Sequence, residues 1–150
     1  MIHKIKIALM TLFVSGCTTQ NDIAYQNLLV GTWVSNGTVT LSEAERKGTT
    51  LPDWVRESFG ESAYIVTPKK LTFTKLSNPA NERSWFKWSM SEETETHLIL
   101  ETGSAVMFQK QIKRYNKKIG CFENGWTFNV TDSPNDSFSY NHYYCKTESE

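Results

Sequence analysis

The sequence has few of the features that mark an enzyme or a nucleic-acid-binding protein. It contains no Gly-x-Ser-x-Gly and no His-Glu-x-x-His, the motifs that hold a nucleophilic serine or a catalytic zinc ion in many hydrolases. It has no basic stripe, and 16 basic residues balance 16 acidic ones, which argues against nucleic acid as a partner. The adjacent carboxylates Glu92 and Glu93 are typical of solvated surface. We therefore expect a protein that is not an enzyme and has no cofactor.

Cysteine and histidine are scarce, with three of each. Cys121 and Cys145 lack the ligand spacing of a zinc site, which groups cysteines and histidines within a few residues of one another. His97 and His142 are far from each other in the chain, and each is more typical of a strand or a surface than of a metal ligand. We therefore expect no metal site.

The apolar stretch near the N-terminus is too short to cross a bilayer as a helix, which needs about 20 residues. Ile7 to Val14 carries no charge and follows the basic residues Lys4 and Lys6. This arrangement matches a secretion signal, whose apolar core is roughly 7–15 residues long. The small residues that a signal peptidase requires come next in the chain.

Val14-Ser15-Gly16-Cys17 resembles the lipobox of bacterial lipoproteins. The resemblance implies that residues 1–16 are a signal peptide and that Cys17 is lipidated by acyl chains such as palmitate. The thiol suits this role because a thiolate is a strong nucleophile, and two or more acyl chains give stable membrane anchoring. The alternative is an ordinary secreted protein with a chance cysteine near the cleavage site.

The same resemblance predicts the location and the division of the chain. Thr18 follows the cysteine where an aspartate tends to retain lipoproteins in the inner membrane, so we expect anchoring to the outer membrane on its periplasmic face. Residues 17–27 comprise the lipidated cysteine and a mostly polar tether, and residues 28–150 form one domain. Removal of the signal leaves 14 basic and 16 acidic residues, a net charge of about −2.

Cys121 and Cys145 remain when Cys17 is used for lipidation. The periplasm is oxidising, and an even pair of cysteines there predicts a disulfide. Such a bridge is expected to stabilise the fold by roughly 3–4 kcal/mol in the chain-entropy model. Two unpaired buried thiols are the alternative.

Most of the domain alternates apolar and polar residues with a period of two, as a strand with one buried face requires. Leu71 and Phe73 share one face of a strand, for example, and Asn124-Gly125 is a strong hairpin signal. About eight short strands at regular spacing predict an all-β domain, an antiparallel barrel or a sandwich. The expected strands cover 31–41, 70–75, 84–90, 97–101, 105–114, 118–123, 126–130 and 138–145.

Two short helices are predicted between the first and second strands. Ser42 to Glu45 has the form of a capping box, and Gly48 is suited to end that helix. Pro52 and Asp53 favour the start of a second helix and Gly60 its end. The apolar residues of this second segment share one helical face.

Gly31 and Trp33, at the start of the first strand, resemble the Gly-x-Trp signature of lipocalins and related calycins. In that family the tryptophan packs across the closed base of the barrel, and the glycine permits a close turn beneath it. The resemblance implies a lipocalin-like barrel, which includes the helix pair as a lid like that of fatty-acid-binding proteins. It also implies a function, the binding of a small apolar or amphipathic molecule.

An eight-stranded barrel either holds one small ligand or is filled by its own side chains. The candidate ligand-binding residues are apolar or aromatic: Trp54, Phe59, Phe86, Trp88 and Phe108. Each of the aromatic residues along the strands is alternatively part of a dry core.

A protein-binding module, such as a periplasmic inhibitor or immunity protein, is the alternative function. Its motivation is the segment from Asp132 to Tyr144, in which tyrosine, histidine and asparagine suit a recognition surface. An ordinary edge strand with exposed tyrosines explains the same segment without a partner.

Overall fold

The computed structural model describes residues 20–104, 110–129 and 137–147, with backbone alone for 20–23, 79–87, 104, 110 and 129. It contains eight strands and three helices in the described part of the chain. In chain order they are α1 (Gln20–Leu29), β1 (Gly31–Ser35), α2 (Gly37–Arg46), α3 (Asp53–Glu57), β2 (Ser62–Val66), β3 (Lys70–Lys75), β4 (Asn78–Glu93), β5 (His97–Ser104), β6 (Lys110–Asn116), β7 (Cys121–Asn129) and β8 (Ser137–Lys146).

The strands form a closed antiparallel barrel in which each strand pairs with its neighbours in the chain. The barrel closes where β1 pairs with β8, with Val34 opposite Cys145. Two of the contacts around the barrel are short: residues 114–116 of β6 pair with residues 121–123 of β7, and residues 33–35 of β1 pair with residues 144–146 of β8. The prediction of an all-β barrel of about eight strands, with two short helices between the first and second, is confirmed.

The two ends of the barrel differ. We call one end the base: it carries α1 and the connections β2–β3, β4–β5 and β6–β7. The other end, the mouth, carries α2, α3, the connection β3–β4 and the ends of β5 and β7. Register places Leu29 and Trp33 near the base, whereas Ser35 lies near the mouth.

The base is filled by a tight cluster of apolar side chains around Trp33, which is 1% exposed. The indole N–H of Trp33 donates to the carbonyl of Leu29 in α1, at 2.8 Å. The rings of Tyr115 and Phe122 pack edge-on against the indole, a favoured arrangement for aromatic pairs. Gly31 has a φ of +142°, and a Cβ there would lie 2.7 Å from Cε of Lys146. Both residues of the Gly-x-Trp motif therefore serve packing at the base.

Helix α2 begins six residues earlier than the sequence predicts. Asn36, not Ser42, is the N-cap, and its side-chain oxygen accepts the backbone N–H of Val39 at 3.0 Å. Residues 38–41 are therefore helical, although their β-branched composition resembles a continuation of β1. The cap decides the outcome because it satisfies a free N–H of the first turn. The predicted end is confirmed, since α2 stops at Arg46 and Gly48 has a φ of +73°.

Two more details concern α1 and α3. Helix α1, residues 20–29, overlaps the predicted tether over 17–27, and Leu29, which belongs to the predicted domain, is fully buried in the base cluster. Pro52 is the N-cap of α3 rather than a residue of its first turn. The helix itself covers Asp53–Glu57, and Val55 anchors it in a second cluster with Leu51 and Tyr140.

Asn124-Gly125 does not form a hairpin. β7 runs without a break from Cys121 to Asn129, and Asn124 and Gly125 pair with His142 and Asn141 of β8. The long ladder between β7 and β8 outweighs the local turn preference.

The predicted disulfide is confirmed: Cys121 and Cys145 are bonded across the ladder between β7 and β8, with their Cα atoms 4.4 Å apart.

Candidate ligand-binding site

A pocket of about 510 Å³ opens at the mouth of the barrel. We call it the mouth pocket. Its volume lies within the range of small-molecule sites, roughly 300–1,000 Å³. Trp54 of α3 and Trp126 of β7 flank it and are about half exposed, so the pocket is open to solvent between them. Its aromatic lining consists of Trp54, Phe73, Trp126, Phe128, Tyr140 and Tyr144.

The inward faces of β7 and β8 supply most of this lining. Register pairs Trp126 with Tyr140 and Phe128 with Phe138, and side chains of directly opposite residues lie on the same face of a sheet. Neighbouring rings are nearly parallel, with 13° between the planes of Phe128 and Tyr140. Trp54 packs edge-on against Phe128, with ring centroids 4.8 Å apart. Helix α3 therefore adds one wall to a surface that the sheet provides.

The polar lining is smaller and includes two charges of opposite sign. Glu61 and Lys75 are exposed residues at the rim, while the deeper polar groups are uncharged side chains. Ser62 lies on the barrel wall, and its hydroxyl donates to the phenol oxygen of Tyr144 at 3.3 Å. Burial raises the pKa of Tyr144 above its ordinary value, so this phenol is protonated at neutral pH.

His142 connects the mouth pocket to the loop after α3. The imidazole is 5% exposed, and its Nε2 lies 2.5 Å from Oγ of Ser35. The same hydroxyl accepts the backbone N–H of Gly60 at 3.2 Å. Burial lowers the pKa of His142 to about 4, because a charged imidazolium loses its hydration there. The ring is therefore neutral at pH 7, and Phe59 packs edge-on against it.

A buried lysine lies deeper in the barrel. Nζ of Lys113 donates to the phenol oxygen of Tyr64 at 3.5 Å and lies 5.1 Å from the centre of that ring. Burial lowers the pKa of the Lys113 amine to about 8. The ring of Tyr64 contacts those of Phe73 and Tyr144, which line the mouth pocket. Tyr64 therefore stands between this amine and the pocket.

The predicted ligand-binding residues are not brought together as a group. Trp54 lines the mouth pocket, and Phe59 lies behind it, against His142. Trp88 belongs to the base cluster and donates its indole N–H to the carbonyl of Thr67 at 2.7 Å. The side chain of Phe86 and the whole of Phe108 lie outside the described residues, as does Cys17.

Sequence reasoning missed the inward residues of β8 as site residues. The segment 132–144 is predicted as a recognition surface or an edge strand with exposed tyrosines. Tyr140, Tyr143 and Tyr144 are each at most 8% exposed, so the prediction of exposed tyrosines is wrong. Residues 137–145 of β8 pair with β7, whereas pairing with β1 is confined to residues 144–146. The spacing of two residues between Tyr140, His142 and Tyr144 is the signal that could have identified them, since it places these three side chains on one face of a strand.

Two further observations concern the described residues only. No group of three or more His, Cys, Asp or Glu side chains lies close enough together there to hold a metal ion. No helix in the described part of the chain is both long and apolar enough to cross a membrane. His97 contacts a single carboxylate, with Nε2 2.9 Å from Oε1 of Glu123.

The chain was compared with protein-family models, with curated proteins and with solved structures, and none of the three comparisons found a match.

Proposed function

We propose that this protein is a membrane-anchored, lipocalin-like lipoprotein of the periplasm that binds one small apolar or amphipathic molecule in the mouth pocket. The observation that carries the proposal is the pocket itself, about 510 Å³ in volume and lined by six aromatic rings. Aromatic walls with a few placed polar groups are typical of small-molecule sites. The base cluster supports the same proposal, because it fills the other end of the barrel and leaves the cavity at the mouth.

Lipidation of Cys17 belongs to this proposal and would orient the barrel. Cys17 lies three residues before α1, a reach of about 10 Å for extended chain. Helix α1 is held at the base, since the hydroxyl of Tyr25 donates to Glu93 and Leu29 is buried. The base would then face the membrane and the mouth pocket would face the periplasm.

NMR of the lipidated protein in vesicles with nitroxide-labelled lipids tests this orientation. Lys69 lies in the β2–β3 connection at the base, and Ser58 follows α3 at the mouth. The signals of Lys69 should therefore broaden more than those of Ser58, and the reverse order would contradict this orientation.

The binding function is tested on the mature protein with Cys17→Ser, which removes the lipid and keeps the domain. Native mass spectrometry should show a small molecule that co-purifies at one per chain. Titration with N-phenyl-1-naphthylamine, an uncharged fluorescent probe, should show one saturable site.

A matched pair of variants localises the site. Trp54→Ala removes a half-exposed ring that lines the mouth pocket, whereas Ile112→Ala shortens a similarly exposed side chain of β6 outside the pocket lining. Trp54→Ala should weaken probe binding, and Ile112→Ala should leave it unchanged. An empty protein that binds no probe would refute the proposal.

The protein-binding alternative has less support. Its motivation is a polar, aromatic surface near the C-terminus, but Tyr140, His142, Tyr143 and Tyr144 are each at most 8% exposed. Hot spots for partner proteins need accessible rings. We therefore prefer the small-molecule proposal.

A further inference from the structure

The hydrogen bonds of His142 determine which of its ring nitrogens carries the proton. The hydroxyl of Ser35 already accepts the N–H of Gly60, and a serine hydroxyl has one proton to donate. A hydroxyl oxygen can accept two hydrogen bonds, so the 2.5 Å contact with Nε2 of His142 does not by itself fix the tautomer. If Nε2 carried the proton, however, the hydroxyl proton of Ser35, which is 5% exposed, would have no acceptor among the described residues. The arrangement that gives this proton an acceptor places the proton of His142 on Nδ1.

The second nitrogen has no acceptor of its own. His142 lines the mouth pocket, and none of the residues that the structure describes accepts a hydrogen bond from Nδ1. Nδ1 keeps some contact with solvent, so water in the open pocket can accept its hydrogen bond. A ligand that offers an oxygen acceptor at this point would replace that water with a direct hydrogen bond.

The charges around the pocket favour an uncharged ligand. The rim residues Glu61 and Lys75 have opposite signs, and the imidazole is neutral at pH 7 because burial lowers the pKa of His142 to about 4. The amine of Lys113 is behind the ring of Tyr64 and is not part of the pocket lining. Lys75, the cation of the lining, is an exposed residue and is accompanied by Glu61 of opposite sign. A carboxylate placed beside His142, deeper in the pocket, would lose its hydration without a charged partner there, which is unfavourable.

We infer that the mouth pocket selects an uncharged, ring-containing molecule that presents a carbonyl oxygen to the Nδ1–H of His142, an inference that rests on the proposed binding function. The aromatic walls contact the ring of the ligand, and His142 supplies specificity. Ser35 is a positioning residue, since it fixes the tautomer without touching the ligand.

Three naphthalene probes of similar shape test this inference: 2-acetylnaphthalene, 2-ethylnaphthalene and 2-naphthoate. The acetyl probe should bind the Cys17→Ser protein roughly three- to tenfold more tightly than the ethyl probe, the gain expected from one net hydrogen bond. The naphthoate should bind more weakly than the acetyl probe.

Two variants locate the effect. His142→Phe keeps an aromatic ring but has no donor, so the ratio of the acetyl-probe affinity to the ethyl-probe affinity should fall to about one, whatever the absolute affinities are. Ser35→Ala should reduce the preference for the acetyl probe and leave binding of the ethyl probe intact. A cooperative urea unfolding transition shows that each variant is folded, which separates a loss of specificity from a loss of structure.

The imidazole nitrogen signals of His142 give a readout that a structural role would not move. They should report the Nδ1–H tautomer in the free protein, and the Nδ1 signal should shift on addition of the acetyl probe but not of the ethyl probe.

Equal affinity of the two uncharged probes in the unaltered pocket would overturn the inference and leave the proposed function standing. Tighter binding of 2-naphthoate would also overturn it, in favour of an anionic ligand. Failure of all three probes to bind would count against the proposed function itself.

Discussion

Burial of a neutral histidine predicts that stability falls in mild acid. The pKa of His142 is about 4 in the folded protein and 6.5 in its ordinary state. Between these values the unfolded chain binds a proton that the folded protein does not, so stability rises with pH across this window and falls as the pH decreases from 6.5 to 4. A pKa gap of about 2.5 units corresponds to about 3 kcal/mol of unfolding free energy.

The neighbours of His142 support this direction. Its ring contacts Phe59, Tyr140 and Tyr144 and the hydroxyl of Ser35, none of which is charged between pH 4 and 6.5. Glu61 and Lys75 line the same pocket at its exposed rim. Desolvation therefore outweighs any attraction that would keep the imidazole protonated.

Urea unfolding, followed by tryptophan fluorescence from pH 4 to 7.5, measures the effect. The comparison is between the parent protein and His142→Phe, because the carboxylates whose pKa is lowered elsewhere, such as Glu43 beside Arg46, titrate in both. The parent should lose about 3 kcal/mol more than His142→Phe between pH 6.5 and 4. Parallel curves for the parent and His142→Phe would refute the reasoning.

Three other perturbations test the fold. Reduction of the disulfide should lower the unfolding free energy by roughly 3–4 kcal/mol, and reaction of both thiols before reduction would show that no bridge exists. Trp33→Ala should lower the unfolding free energy by about 3–5 kcal/mol because the indole fills the base. Ile112→Ala on the exposed surface should lower it little. Equal losses in the two variants would contradict the placement of Trp33 in the core of the base. Asn36→Ala should cost about 1 kcal/mol in thermal or chemical unfolding, and a larger loss in Ser42→Ala would restore the capping box that the sequence predicts.

The alternation of apolar and polar residues predicts a strand correctly where the apolar residues are also the buried ones. Leu71 and Phe73 alternate along β3 in register with Tyr64 and Val66 of β2, because a strand with one buried face must repeat every two residues. Gly48 correctly indicates the end of the first helix between β1 and β2, although the cap that starts it is Asn36 and not Ser42. The strand pattern alone leaves a barrel and a sandwich open, and the barrel follows from the Gly-x-Trp resemblance, since closure depends on pairing between residues far apart in the chain, such as Val34 and Cys145.

Two of the errors have different physical origins. Asn124-Gly125 favours a tight turn, but a ladder with β8 that extends on both sides of it keeps the pair extended, so pairing with another part of the chain overrides the local preference. Thr38 and Val39 favour strands, but the cap at Asn36, a local contact, starts a helix that packs on β8.

The mouth pocket was the hardest feature to predict, because its residues differ in role along a single strand. Tyr144 belongs to the base cluster and also lines the pocket. His142, two residues earlier, contacts the hydroxyl of Ser35, which in turn accepts the N–H of Gly60 in the loop after α3. Residue type alone cannot separate these roles, since only the register with β7 shows which face points inward. One consequence is physical coupling: a change at Tyr144 affects both the stability of the base and the shape of the pocket. His142 is the better probe of binding, because its polar contacts lie at the mouth.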